Sequence, residues 1–188
     1  MKVNGNTIKP GNVIEHKNEL WVATKTNHVK PGKGGAFAQI ELKSLRDGSK
    51  LNERFRSSEN VEKVILEETP HIFLYRENDN LIFMNNQTFE QITVNIDMIG
   101  EQAAFLQDGM SVTINLHNES PVSIIMPDNC IEEIIDADAV IKGQTVSSSF
   151  KPAILKNGIK VMVPGHIEVG TKIVVRPSDC TYVEKAKT

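Results

Sequence analysis

The chain has 188 residues, of which 39% are hydrophobic, 24% charged and 5% aromatic, a composition that fits a soluble globular protein with small aliphatic cores. No apolar run approaches the ~20 residues that a membrane-spanning helix needs, and the first six residues carry no apolar stretch of the signal-peptide kind. Cys130 and Cys180 are too few for a disulfide framework or a four-thiolate zinc site, so a cytoplasmic, reduced protein is expected; separately, it is expected to be a monomer.

The net charge of −3 hides an asymmetry. Residues 1–64 hold 12 Lys and Arg against 7 Asp and Glu, a net of +5, whereas residues 65–188 hold 9 against 17, a net of −8. Within 25–56 lie Lys25, Lys30, Lys33, Lys43, Arg46, Lys50, Arg54 and Arg56, with Glu41, Asp47 and Glu53 as the acids. A basic patch of this size suits a phosphate backbone, although a charge run is more often just a solvated face.

In chain order, residues 1–64 read as all-β. Strand composition is found at 13–15, 19–27, 37–43 and 50–55, and short strands at such spacing suggest a small barrel. Trp21 and Phe37 are expected in its core rather than as a stacking platform. Between the second and third of these strands runs His28-Val29-Lys30-Pro31-Gly32-Lys33-Gly34-Gly35-Ala36-Phe37, which predicts a hairpin with one lysine at its tip. By composition alone the same loop is equally an ordinary exposed turn with a solvated lysine. It is not a Walker phosphate loop, since no Ser or Thr follows Lys33 and a strand pattern, not a helix, comes next.

A second unit, 65–126, has strand candidates at 72–75 and 81–84 around a polar turn, then a short helix at 100–106 that places Ile99, Ala103 and Leu106 on one face. Strands at 110–116 and 122–126 complete an OB-like barrel. The third unit, 127–188, offers strands at 131–135, 153–155, 159–163, 172–175 and 181–184, with a polar loop over 142–149. Asn157-Gly158 is a strong hairpin signal. The tail 185–188 is expected to fray.

Catalytic chemistry finds no footing. Five histidines are scattered without metal-ligand spacing, and no Gly-x-Ser-x-Gly elbow occurs. Glu67-Glu68 and Glu132-Glu133 are adjacent pairs, which a strand would point to opposite faces. The cysteines have no local nucleophile signature and read as small buried residues. Neither an enzyme nor a bound metal or cofactor is expected.

Lys30-Pro31-Gly32-Lys33-Gly34-Gly35-Ala36-Phe37 resembles the tip hairpin of bacterial translation elongation factor P. Phe83-Met84-Asn85-Asn86-Gln87-Thr88-Phe89-Glu90-Gln91 is similar to that family's middle-domain motif. Lys151, Ala153, Gly158, Val161, Val163, Pro164, Ile167 and Gly170 match its C-terminal signature, and the stretch 42–63 also follows the family. The resemblance spans the three units in order. It implies a KOW-like barrel followed by two OB-fold barrels in a bent, tRNA-like arrangement, and a factor that enters the ribosome beside the peptidyl-tRNA when consecutive prolines stall peptide-bond formation. It implies Lys33 as the site of post-translational modification by a lysine-modifying enzyme, a lysyl-tRNA-synthetase-like protein being one candidate. His28, Lys30, Pro31, Gly32, Gly34 and Gly35 would form the tip, with Lys25, Arg54 and Arg56 as contacts to tRNA and ribosomal RNA.

Two departures stand out. Gly143-Gln144-Thr145-Val146 replaces the family's Gly-Asp-Thr-Ala, in the loop that the resemblance sets near the mRNA. Arg176-Pro177-Ser178-Asp179-Cys180-Thr181-Tyr182 loses the family arginine and carries Cys180 where the family has a turn glycine. A general RNA-binding module using the basic face of the first barrel is the alternative reading.

Overall fold

The computed structural model describes residues 1–139 and 149–187, so the departure at Gln144 lies outside the described residues. These residues form an all-β chain of sixteen strands in three barrel-like sheets. By contacts the chain divides into two compact units, Met1–Pro70 with Thr113–Ile124, and His71–Val112 with Ile125–Thr188. Among the described residues no helix is long and apolar enough to cross a membrane.

The first sheet contains β1 (Lys2–Asn4), β2 (Val13–His16), β3 (Glu19–Val29), β4 (Phe37–Ser44), β5 (Lys50–Arg56) and β6 (Asn60–Val64), in the order β1-β6-β2-β3-β4-β5. Strict alternation sets the faces: on β4, Ala38, Ile40, Leu42 and Ser44 are buried while Gln39 and Lys43 are exposed. Ile8, Ile14, Trp21, Ala23, Phe55 and Val61 fill the same core, each large side chain contributing about 1.5–3 kcal/mol by leaving water. Trp21 also satisfies its one polar atom, Nε1 donating to the His16 carbonyl at 2.9 Å. Gly5 lies where no side chain fits. A Cβ there would meet Phe55 Cβ at 2.8 Å and the Arg56 carbonyl oxygen at 3.0 Å, while Gly5 N donates to the Glu59 carbonyl at 2.8 Å. The 3₁₀ turn Gly5–Thr7 thereby comes down tightly on the end of β5.

The second sheet has β7 (Glu67–Glu77), β8 (Asn80–Asn85), β9 (Gln91–Asn95), β10 (Ser111–His117) and β11 (Ser120–Ile125), ordered β11-β10-β7-β8-β9. Phe73 and Phe83, directly opposite on β7 and β8, pack their rings 5.4 Å apart. The expected short helix is a 3₁₀ helix, Gly100–Phe105, and its fully buried residue is Phe105 rather than Ala103 or Leu106, which are half-buried. A 3₁₀ helix turns every three residues, so a face drawn at α-helical spacing misses the side chain that points inward.

The third sheet has β12 (Cys130–Ala137), β13 (Phe150–Leu155), β14 (Lys160–Pro164), β15 (Lys172–Arg176) and β16 (Thr181–Lys185), ordered β14-β13-β12-β15-β16. The Asn157-Gly158 turn forms with Gly158 at φ +86° and Asn157 Oδ1 accepting from Ile159 N at 3.0 Å. The tail is tied down further than expected, since β16 continues to Lys185 and Ala186 N donates to the Lys172 carbonyl at 3.0 Å.

Candidate nucleic-acid interface

The long strands β3 and β4 pair from Trp21 opposite Ser44 to Val29 opposite Phe37, and the hairpin they form closes over residues 30–36. His28, Lys30, Pro31, Gly32, Lys33, Gly34 and Gly35 are all exposed. Among the described residues, neither Lys30 nor Lys33 has a carboxylate within ion-pair distance or a side-chain hydrogen bond. One glycine of the three is demanded by the backbone. Gly34 has φ +110°, a conformation that a side chain strains, whereas Gly32 and Gly35 have no such angle and a Cβ on either would meet nothing within 4 Å. The chain itself therefore has no steric use for glycine at 32 and 35, and leaving them bare keeps the backbone beside Lys33 open to close approach from outside.

A β-bulge decides which cations stand together. Register shifts between Ala23, opposite Leu42, and Lys25, opposite Glu41, so Thr24 is the extra residue. The shift reverses the parity of the distal half of β3. Lys25 turns outward with Glu41, and His28 falls opposite Ala38, on the other face from Lys25. On β5 the partners of Phe37, Gln39 and Lys43 are Arg56, Arg54 and Lys50. One outward face therefore carries Lys25, Lys43, Lys50, Arg54 and Arg56 with a single carboxylate, Glu41, which Thr24 Oγ1 already engages at 2.8 Å. Lys43 and Lys50 are directly opposite each other, a like-charge pair that weakens a sheet unless something outside it neutralises them. Among the described residues none of these five cations has an ion pair, whereas Arg46, outside the face, pairs with Glu19 at 3.0 Å.

The sequence reading brought Lys25, Arg54 and Arg56 forward and missed Lys43 and Lys50 as members of the same face; cross-strand register, not spacing along the chain, unites them. It also placed Phe37 in the core. Phe37 is half-buried instead, and the Arg54 guanidinium stacks on its ring 4.0 Å from the centroid. Stacking fixes the plane of the guanidinium and leaves its N–H edge free, the geometry that suits a phosphate.

Among the described residues, neither the two cysteines nor the adjacent glutamates have the setting of a nucleophile or an acid–base pair. Burial pushes the Cys130 thiol up to about 12 and raises Cys180 as well, so both stay protonated. Glu132 is buried and Glu133 half-buried, on opposite sides of β12 as adjacent strand residues must be. Cys180 has φ +56° in the turn between β15 and β16, left-handed backbone that a glycine takes more freely. Among the described residues no cluster of His, Cys, Asp and Glu has the arrangement of a metal site.

Comparison with known proteins covers the chain nearly end to end. Residues 4–61 match the elongation factor P (EF-P) KOW-like domain, residues 66–124 the elongation factor P OB domain, and residues 131–185 the elongation factor P C-terminal domain. The elongation factor P of Bartonella henselae is 55% identical over 186 residues, which cover 99% of this chain and 97% of that protein. The elongation factor P of Chelativorans sp. is 54% identical over 186 residues, 99% of this chain and 100% of the relative. Among solved structures, eukaryotic translation initiation factor 5A from Methanococcus jannaschii shares the fold at 22% identity and a TM-score of 0.56, covering 67% of this chain and 94% of its own.

Proposed function

The chain belongs to the elongation factor P family of translation factors, and we propose that it binds the ribosome beside the peptidyl-tRNA and promotes peptide-bond formation where consecutive prolines stall it. Proline is a rigid and poor nucleophile, so holding the peptidyl-tRNA in attacking geometry lowers the barrier without acid–base chemistry from the factor. In this reading the protein is not an enzyme. It is a cytoplasmic monomer of three domains, 1–64, 65–126 and 127–188, a division supported by the three sheets and by the three matched segments.

The observation that carries the reading is Lys33, a cation with no partner among the described residues, at the far end of a hairpin whose flanking glycines leave the backbone bare. His28, Lys30, Pro31, Gly32, Gly34 and Gly35 frame it. Lys25, Arg54 and Arg56, joined by Lys43 and Lys50, supply a face for tRNA or ribosomal RNA phosphates. An exposed amine without a partner is also accessible to a lysine-modifying enzyme, and a group added there would lengthen the probe.

The test is translation of a reporter with consecutive prolines in a reconstituted system, with the native protein and with Lys33→Ala. Relief by the native protein and its loss in the variant are expected; equal activity of the two would sink the proposal. Mass spectrometry of the Lys33 peptide identifies the modification. The five-cation face gives specific support to the second reading, a general RNA-binding module, because it does not involve the tip. That reading predicts that Arg54→Ala weakens RNA binding and that Lys33→Ala barely does.

A further inference from the structure

The compact unit His71–Val112 with Ile125–Thr188 holds a cleft that the ribosomal reading leaves unused. It encloses about 450 Å³ between the end of the 3₁₀ helix Gly100–Phe105 and the third sheet, the size of a small-molecule site. Ala104, Leu106 and Ile131 give it an apolar side. Gln107 ties the two walls together, its Nε2 donating to the Ile131 carbonyl at 2.8 Å and to Glu132 Oε1 at 3.0 Å.

Four charged side chains complete the lining, two of each sign: Glu132, Glu133, Lys156 and Lys172. Glu133 and Lys172 are directly opposite on β12 and β15, where opposite charges ordinarily join. Here they do not. Among the described residues, Glu133, Lys156 and Lys172 have no ion pair and no side-chain hydrogen bond, and the Glu132 carboxylate is hydrogen-bonded by Gln107 alone. Glu132 is buried, and desolvation raises its pKa above the ordinary carboxylate range, a penalty that an ammonium beside it would offset.

Charge balance selects the ligand. Residues 65–188 carry a net of −8, which repels a free anion, while two lysines at the cleft oppose a free cation. A molecule with one charge of each sign meets neither obstacle, and the apolar side of the cleft asks for a hydrocarbon body as well.

We propose that this cleft binds a free α-amino acid with an apolar side chain. Its carboxylate meets Lys156 and Lys172, its ammonium meets Glu132 and Glu133, and its side chain packs against Ala104, Leu106 and Ile131. The inference goes beyond the ribosomal reading and does not depend on it.

The test follows the backbone amide chemical shifts of the full, isotope-labelled chain as L-leucine, L-valine or glycine is added. Leucine is expected to move the amides of Ala104, Ile131 and Lys156 with a dissociation constant of about 1 mM or tighter. Isoamylamine lacks the carboxylate and isocaproate lacks the ammonium, so each should bind about tenfold more weakly or worse. Glycine, without the hydrocarbon body, should also bind more weakly than leucine. No shifts with either leucine or valine, or equal binding by a singly charged analogue, overturns the proposal. Glu133→Gln and Lys172→Met each remove one charge from the lining and should weaken leucine binding about tenfold at an unchanged melting temperature. Full affinity in either folded variant overturns the proposal. Should a variant fail to fold, the analogues still decide, because they are measured on the native protein.

Discussion

Two exposed hairpin loops solve opposite problems. Residues 30–36 carry three glycines and two lysines, of which Lys33 at the tip touches no partner among the described residues, whereas residues 86–90 hold an aromatic ring at a strained angle with a net of hydrogen bonds centred on Asn85. The difference follows from how each group attracts. A point charge acts over several ångströms and is best left without an internal partner that would neutralise it. A ring acts only on contact, and ordering it beforehand reduces the entropy lost on binding. The first loop therefore keeps its side chain bare, and the second keeps its backbone fixed.

The largest effect is expected at the bare charge. Lys33→Ala should lower the rate of peptide-bond formation at consecutive prolines by about 10²-fold, the scale of one lost charged contact in an assembled site. The melting temperature should not move, because an exposed residue without partners contributes within ~0.5 kcal/mol. A fall in melting temperature alongside activity would mean that the lysine has a structural role, and the contrast between the loops would be lost.

Glycines give the next test. Gly5→Ala drives a Cβ into Phe55 and into a backbone oxygen, which cannot swing away as a side-chain tip can, and should cost about 1–3 kcal/mol in denaturant unfolding. Gly32→Ala and Gly35→Ala put a methyl into open space and should leave stability unchanged while slowing the stalled reporter. If they destabilise the chain as Gly5→Ala does, the tip glycines serve the fold and not a partner.

Much of this was legible in sequence, and the gaps have physical causes. Alternation on β4 and the Asn157-Gly158 turn are local signals, and local signals survive without tertiary context. The outward cationic face was only half visible. Counting along β3 from Trp21 would put Lys25 inside, and the bulge at Thr24 that turns it out is a matter of pairing with β4. Asn4-Gly5 is a turn dipeptide, but the demand for glycine itself comes from Phe55 and Arg56, 50 residues or more away in sequence. Phe105 was missed because an α-helical period was applied to a 3₁₀ helix. Phe89 lay within a motif, but its angle and exposure are properties of three dimensions.

Asn85→Ala probes the braced loop alone. It removes the two bonds accepted by Oδ1 and leaves the backbone bonds of the hairpin in place, so a modest cost of about 0.5–1.5 kcal/mol is expected in thermal unfolding.

The smallest effect concerns the charge that is not on display. Among the described residues Glu132 is the buried carboxylate, with Gln107 Nε2 donating to its Oε1 at 3.0 Å. Desolvation raises its pKa above the ordinary 4.5, against the opposing pull of the Gln107 bond and of Lys156. A raised carboxylate means that the folded chain holds the proton more tightly than the unfolded chain. Glu132 thus favours folding below pH 4.5, and that advantage is lost as pH rises through the folded value. Glu132→Gln keeps an acceptor for Gln107 without the charge, so its melting temperature should match the native protein's in acid and exceed it at neutral pH. A variant that is less stable at pH 7 would mean that attraction to Lys156 outweighs burial. In that case a charge inside this chain is held because it has a partner, which would make the unpartnered lysine at the tip the sharper exception.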